Sequence, residues 1–139
     1  MLRTILEDEG YVIDTAETAK IGIEKSQQGF HNLALIDVRL PDMEGIELLS
    51  KLRDTKPKMR KIIVTGYPTM QNAVAAVNKG ADAYVIKPFD VEKLLQTIKE
   101  QLQKQAEEKK YSEAKIAEFI ETRVNELEAE NESFSKRTS

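Results

Sequence analysis

Short apolar runs alternate with amphipathic stretches along most of this chain, and that alternation constrains its fold more than any other feature. YVIDTA (11–16), LALIDV (33–38), KIIVT (61–65) and AYVIK (83–87) are rich in Val, Ile and Tyr, as suits short strands buried on both faces. Between them, Ile21 and Ile23 sit in a stretch ending near Gly29, and Ile46, Leu49 and Leu52 precede Pro57. Ala73, Val74 and Val77 lead to Gly80, a natural helix stop. Leu94, Leu95, Ile98 and Leu102 form one more helical stripe after the last run. Strands alternating with helices at this rhythm predict a doubly wound parallel sheet with helices on both faces.

Glycine and proline divide the chain in two. All six glycines and all four prolines lie at or before Pro88, and the 51 residues from 89 to 139 contain neither. So long a stretch without breakers predicts helix. The expected organisation is an α/β domain over 1–104 and a helical extension over 105–139. In the extension Ser112 reads as an N-cap. Ile116, Phe119, Ile120, Val124 and Leu127 then fall on one face, which predicts self-association through a short coiled coil or helix pair, with folding back onto the α/β domain as the alternative. The closing ESFSKRTS (132–139) reads as frayed.

Composition excludes several functions. The chain has no cysteine and one histidine, His31, which rules out a disulfide scaffold, a zinc-thiolate site and a thiol nucleophile. A net charge of −3 and an acidic tail argue against direct nucleic-acid binding. No apolar run approaches the roughly 20 residues of a membrane span, and no signal pattern opens the chain. The expected address is cytoplasmic.

Three polar residues stand at the carboxyl ends of successive strands: Asp37 after LALI, Thr65 after IIV and Lys87 after YVI. In an open parallel sheet that edge is where ligands bind. A carboxylate can attack phosphorus, a hydroxyl can hydrogen-bond a phosphoryl oxygen, and an ammonium can offset phosphate charge. Phosphoryl transfer asks mainly for such positioning and neutralisation.

The stretches LALIDVRLPDMEGIELL, KIIVTGY and GADAYVIKPF resemble the receiver domain of two-component response regulators over roughly residues 1–104. The resemblance implies a flavodoxin-like fold whose Asp37 accepts a phosphoryl group from a histidine kinase or phosphotransfer protein. It implies a switch pair of Thr65 and Tyr84, a phosphoryl contact from Lys87, and a cis peptide at Lys87–Pro88. Gly45 opens the next helix, where the family often has glycine. The resemblance further implies Mg2+, held by Asp37, the main-chain carbonyl of Arg39 and an acidic pair at the end of a first strand. It implies no enzyme beyond self-phosphotransfer to Asp37.

Neither that first strand nor its acidic pair is present here, so the chain reads as an N-terminally truncated receiver with four recognisable strands. With Asp37 as the only carboxylate, magnesium should bind weakly and phosphorylation should slow. A phosphorylation-independent scaffold is the alternative reading. The absent strand is an interior one, and each buried unpaired backbone group costs about 1–3 kcal/mol against a total stability of about 5–15 kcal/mol. YVIDTA and LALIDV could pair directly, another chain could lend a strand, or an altered oligomer could cover the gap. Met1 could also differ from the natural start.

Overall fold

The computed structural model describes residues 2–138, with side chains described through residue 133. The elements run α1 (Leu2–Asp8), α2 (Ala19–Gln28), β1 (Leu33–Asp37), α3 (Gly45–Leu49), β2 (Arg60–Thr65), α4 (Met70–Asn78), β3 (Ala83–Ile86) and α5 (Val91–Thr138). The chain divides into two compact units, Met1–Gln105 and Ala106–Ser139.

In the first unit the strands are parallel in the order β1-β2-β3. Register explains the two-faced core. Ile36, Ile63 and Tyr84 lie in one row and pack with Leu48, Leu49 and Ala76 of α3 and α4 and with Ala19 of α2. The next row, Leu35, Ile62 and Ala83, faces the opposite way, toward Leu6 of α1 and Leu94 and Ile98 of α5. Alternation of side chains along a strand gives this division, and it accounts for the apolar run of Ile62, Ile63 and Val64 in β2, a strand that is buried throughout. Even Lys61 is covered; its ammonium donates to the Leu49 carbonyl at 2.8 Å, and burial pushes its pKa down.

The helix ends follow local chemistry. The Thr18 and Thr69 hydroxyls accept from the amides of Ile21 and Asn72 at the starts of α2 and α4, satisfying donors that lack intrahelical partners. After α4, Gly80 takes φ +100°, a backbone conformation that disfavours a Cβ.

Two expectations need correction. Residues 11–16 form no strand, so the sheet has three strands rather than four. Among the described residues the segment has no ladder partner: β1 is an edge of the sheet, and direct pairing of YVIDTA with LALIDV does not occur. Val12 is fully exposed. Tyr11 and Ile13 still pack on the α1/α5 face of the core, so the apolar pattern reflects partial burial without pairing. Nor does Ser112 cap a new helix, because α5 runs unbroken through it. With no glycine or proline after Pro88, nothing in the backbone interrupts the hydrogen-bond ladder there. The closing segment, expected to fray, continues α5 as far as Thr138.

α5 is held to the first unit as far as Gln105. Leu94 and Ile98 are buried, as are Gln101 and Gln105. The Gln105 amide donates to the carbonyls of Asn32 at 2.9 Å and Lys58 at 2.8 Å, and its oxygen accepts from the Asn32 side chain at 3.0 Å.

Candidate functional site

Because the strands are parallel, their carboxyl ends gather at one edge. Asp37 is the last residue of β1, Thr65 the last of β2, and Lys87 the first after β3. The Lys87 ammonium donates to Asp37 Oδ2 at 2.6 Å, and the Arg39 amide donates to Asp37 Oδ1 at 3.0 Å. Partial burial pushes the Asp37 carboxyl up. The hydrogen bonds from Lys87 and Arg39, together with their charges, outweigh it and hold the group below the usual carboxylate range. At the main chain, the Lys87 amide donates to the Thr65 carbonyl at 2.7 Å, and the Lys87–Pro88 bond is cis.

The backbone behind Asp37 is tightly placed. The Gly45 amide donates to the Val38 carbonyl at 2.8 Å. A Cβ on Gly45 would lie 2.1 Å from the Asp37 carbonyl oxygen, so only glycine lets α3 approach β1 this closely.

Thr65 is 2% exposed. Its hydroxyl accepts from the Tyr67 amide at 3.1 Å and, among the described residues, makes no hydrogen bond to Asp37 or Lys87. Tyr84 lies against the core cluster of Ile36 and Ile63, with its hydroxyl buried and unpartnered. The structure therefore joins Asp37 to Lys87 directly, ties Thr65 to them through main chain, and leaves Tyr84 in the core beside them.

Two contributors were not picked out from the sequence. The Arg39 guanidinium stacks 3.9 Å over the Tyr67 ring, a cation–π contact. Beside it a hollow of about 400 Å³ is lined by Arg39, Met43, Glu44, Thr65, Tyr67 and Asn72. Asp42, in the loop after β1, accepts from the amides of Ala19 at 2.9 Å and Lys20 at 3.0 Å. Those two hydrogen bonds lower its pKa, and they tie the Asp37 loop to the start of α2. The 23-residue separation hides this link from any local sequence signal.

The residues present do not make a magnesium site by themselves. Magnesium demands near-octahedral oxygen ligation, whereas Asp37 offers one carboxylate with both oxygens already hydrogen-bonded. Among the described residues no three acidic or imidazole side chains gather to hold a metal.

Comparison with known proteins agrees with this geometry. Residues 1–99 match the response regulator receiver domain family, and the chain belongs to that family. It is 50% identical to a CheY-like response regulator receiver domain from Methanospirillum hungatei, with a TM-score of 0.73 over 77% of this chain and 86% of that one. A Burkholderia pseudomallei response regulator, whose structure carries a phosphorylated aspartic acid and a calcium ion, is 31% identical. Its TM-score is 0.66, over 77% of this chain and 64% of that one. Among curated proteins, the response regulator ArlR of Staphylococcus saprophyticus is 36% identical over 100 residues, 72% of this chain and 45% of that protein. The chain thus spans less than half the length of that relative. The fold is accordingly flavodoxin-like, reduced here to three parallel strands with a long C-terminal helix. Among the described residues, no helix is long and apolar enough to cross a membrane.

Proposed function

We propose that residues 1–104 act as the receiver module of a two-component system, with Asp37 as phosphoacceptor and residues 105–139 as a helical extension. The observation that supports this most is the Asp37–Lys87 contact of 2.6 Å at the carboxyl edge of the sheet. There an ionised carboxylate stands beside the cation a phosphoryl group would need. An Asp37 oxygen attacks the phosphorus of a phosphohistidine on a kinase or phosphotransfer protein, forming the O–P bond as the N–P bond breaks. The imidazole departs neutral when its other ring nitrogen carries a proton. Lys87 then exchanges part of its contact with the carboxylate for the incoming phosphoryl oxygens, a charge-assisted interaction.

Thr65 supplies the response. Its oxygen accepts from the Tyr67 amide, which leaves the hydroxyl proton available for a phosphoryl oxygen. Movement of Thr65 changes the space beside Tyr84. It thereby biases the face carrying Val74 and Val77 of α4, Ile86 of β3 and Val91 of α5, all exposed. Phosphorylation would shift the population of that face rather than build a new one. The transcriptional role in some relatives' names, such as BasR of Escherichia coli, belongs to those longer proteins. For this chain we infer a cytoplasmic signalling partner.

The single carboxylate favours slow phosphorylation, and in the limit a second reading in which the domain is a docking scaffold. Incubation with acetyl phosphate in magnesium buffer, followed by intact mass, separates the two. The phosphoacceptor reading expects addition of one phosphoryl group to the native chain and none to Asp37→Ala. No added phosphoryl mass on either protein at saturating reagent would leave only the scaffold.

A further inference from the structure

We propose that the second unit forms a parallel, in-register, two-stranded coiled coil with a second copy of this chain, centred on Val124 and Leu127. Every described side chain over 106–133 is exposed, including Ile116, Ile120, Val124 and Leu127. Yet the helix carrying them is continuous. A long helix exposed on all sides with an apolar stripe lacks the packing that normally sustains helices in water.

The stripe has a register. Placing Ala117, Val124 and Asn131 at a, and Ile120 and Leu127 at d, makes both d positions and the first two a positions apolar. The competing frame through Ile116, Ile120, Arg123 and Leu127 puts a charge in the seam, and the frame through Ile116, Phe119, Arg123 and Glu126 puts in two. In the favoured frame Phe119 falls at an outer c position.

Three details select a second parallel copy as the occupant. A β-branched residue at a followed by Leu at d, as in Val124 and Leu127, favours two strands in a parallel coiled coil. Asn131 at the next a position meets its own counterpart only when the strands are parallel and in register, which is how a buried polar a residue fixes pairing. Finally, Arg123 falls at g and Glu128 at the following e position. In a parallel dimer these face each other across the seam as two opposite-charge pairs. In the single chain Arg123 instead bonds Glu126 at 3.0 Å on the exposed surface, a weak contact that can be exchanged. The inference does not depend on phosphorylation of Asp37.

The test uses the 139-residue chain, which has no cysteine of its own. Sedimentation equilibrium should show a monomer–dimer equilibrium. Arg123→Glu, which turns both cross-seam attractions into repulsions, should weaken it by about tenfold, and Glu128→Arg in the same chain should restore it. Ala117→Cys and Val124→Cys, tested separately under oxidation, should each give a disulfide-linked dimer, while Phe119→Cys should not. An antiparallel pair can join at most one of the two a positions to itself, so crosslinking at only one of them would overturn the parallel arrangement. A chain that stays monomeric at submillimolar concentration would overturn the proposal and assign the seam to a different partner. Unchanged association of Arg123→Glu would likewise refute the register.

Discussion

Gly45→Ala is the sharpest structural perturbation available near the site. The added methyl would lie 2.1 Å from the Asp37 carbonyl oxygen and 2.9 Å from both the Asp37 carbonyl carbon and a methyl carbon of Ile36. Two of these neighbours are backbone atoms of β1, which cannot rotate away, so α3 and the strand end must separate by about an ångström. Over-packing of this kind costs about 1–3 kcal/mol, occasionally more. Ala within a helix recovers roughly 0.5–1 kcal/mol relative to Gly, so a net loss of about 1–2 kcal/mol is expected. For a domain of this size that corresponds to a fall in Tm of roughly 4–16 °C. Gly22→Ala supplies the control: its methyl meets only Ala16 Cβ at 3.8 Å, and in mid-helix it should stabilise by about 0.5–1 kcal/mol. Urea unfolding followed by circular dichroism reads both variants. Similar stability for Gly45→Ala and the native chain would refute the close approach of α3 to Asp37.

Lys87→Met removes the cation from Asp37, whose pKa should then move up toward its ordinary value of 3.8, measurable by carboxyl-detected NMR titration. Because the folded value is depressed, the pair stabilises above that ordinary value, and the contribution fades as pH falls through the lower folded value. Both side chains are 43% exposed, so the pair is worth at most about 1 kcal/mol, and the variant and native chain should converge in stability at low pH. Gln105→Ala takes the side-chain donor from the Lys58 carbonyl and one of two donors from the Asn32 carbonyl, which keeps the Arg60 amide, and should cost about 1–3 kcal/mol in urea unfolding. Asp42→Asn weakens acceptance at the first amides of α2. Hydrogen exchange should quicken at Ala19 and Lys20 while β2 stays protected.

The sheet edge was legible because its signals are local and periodic. Each polar residue ends its strand or directly follows it, and the topology alone brings Asp37, Thr65 and Lys87 to one side. The Asp37–Lys87 contact links residues 50 positions apart and spans β2, which lies between their strands; parallel topology gives the shared edge, and the long lysine side chain closes the gap. Residues 11–16 misled because apolar composition reports burial, whereas a strand also needs a neighbour with which to exchange hydrogen bonds. Without that neighbour the same residues pack and do not pair. Ser112 misled because capping residues also occur inside helices, and only a competing breaker would have ended α5. Asp42 and the Arg39–Tyr67 stack arise from loop geometry with no sequence period, so no local pattern marks them. The Asn131 register lay in the sequence but needed the continuous helix to give it a phase.

Chemical mapping of the acyl phosphate tests the phosphoacceptor claim most directly. The chain is treated with a phosphoryl donor and then with borohydride, which reduces an aspartyl phosphate to the alcohol, and peptide mass spectrometry locates the reduced residue. The account predicts reduction at position 37, diminished in Lys87→Met. Absence of reduction anywhere, or its appearance at another carboxylate such as Asp42, would contradict it.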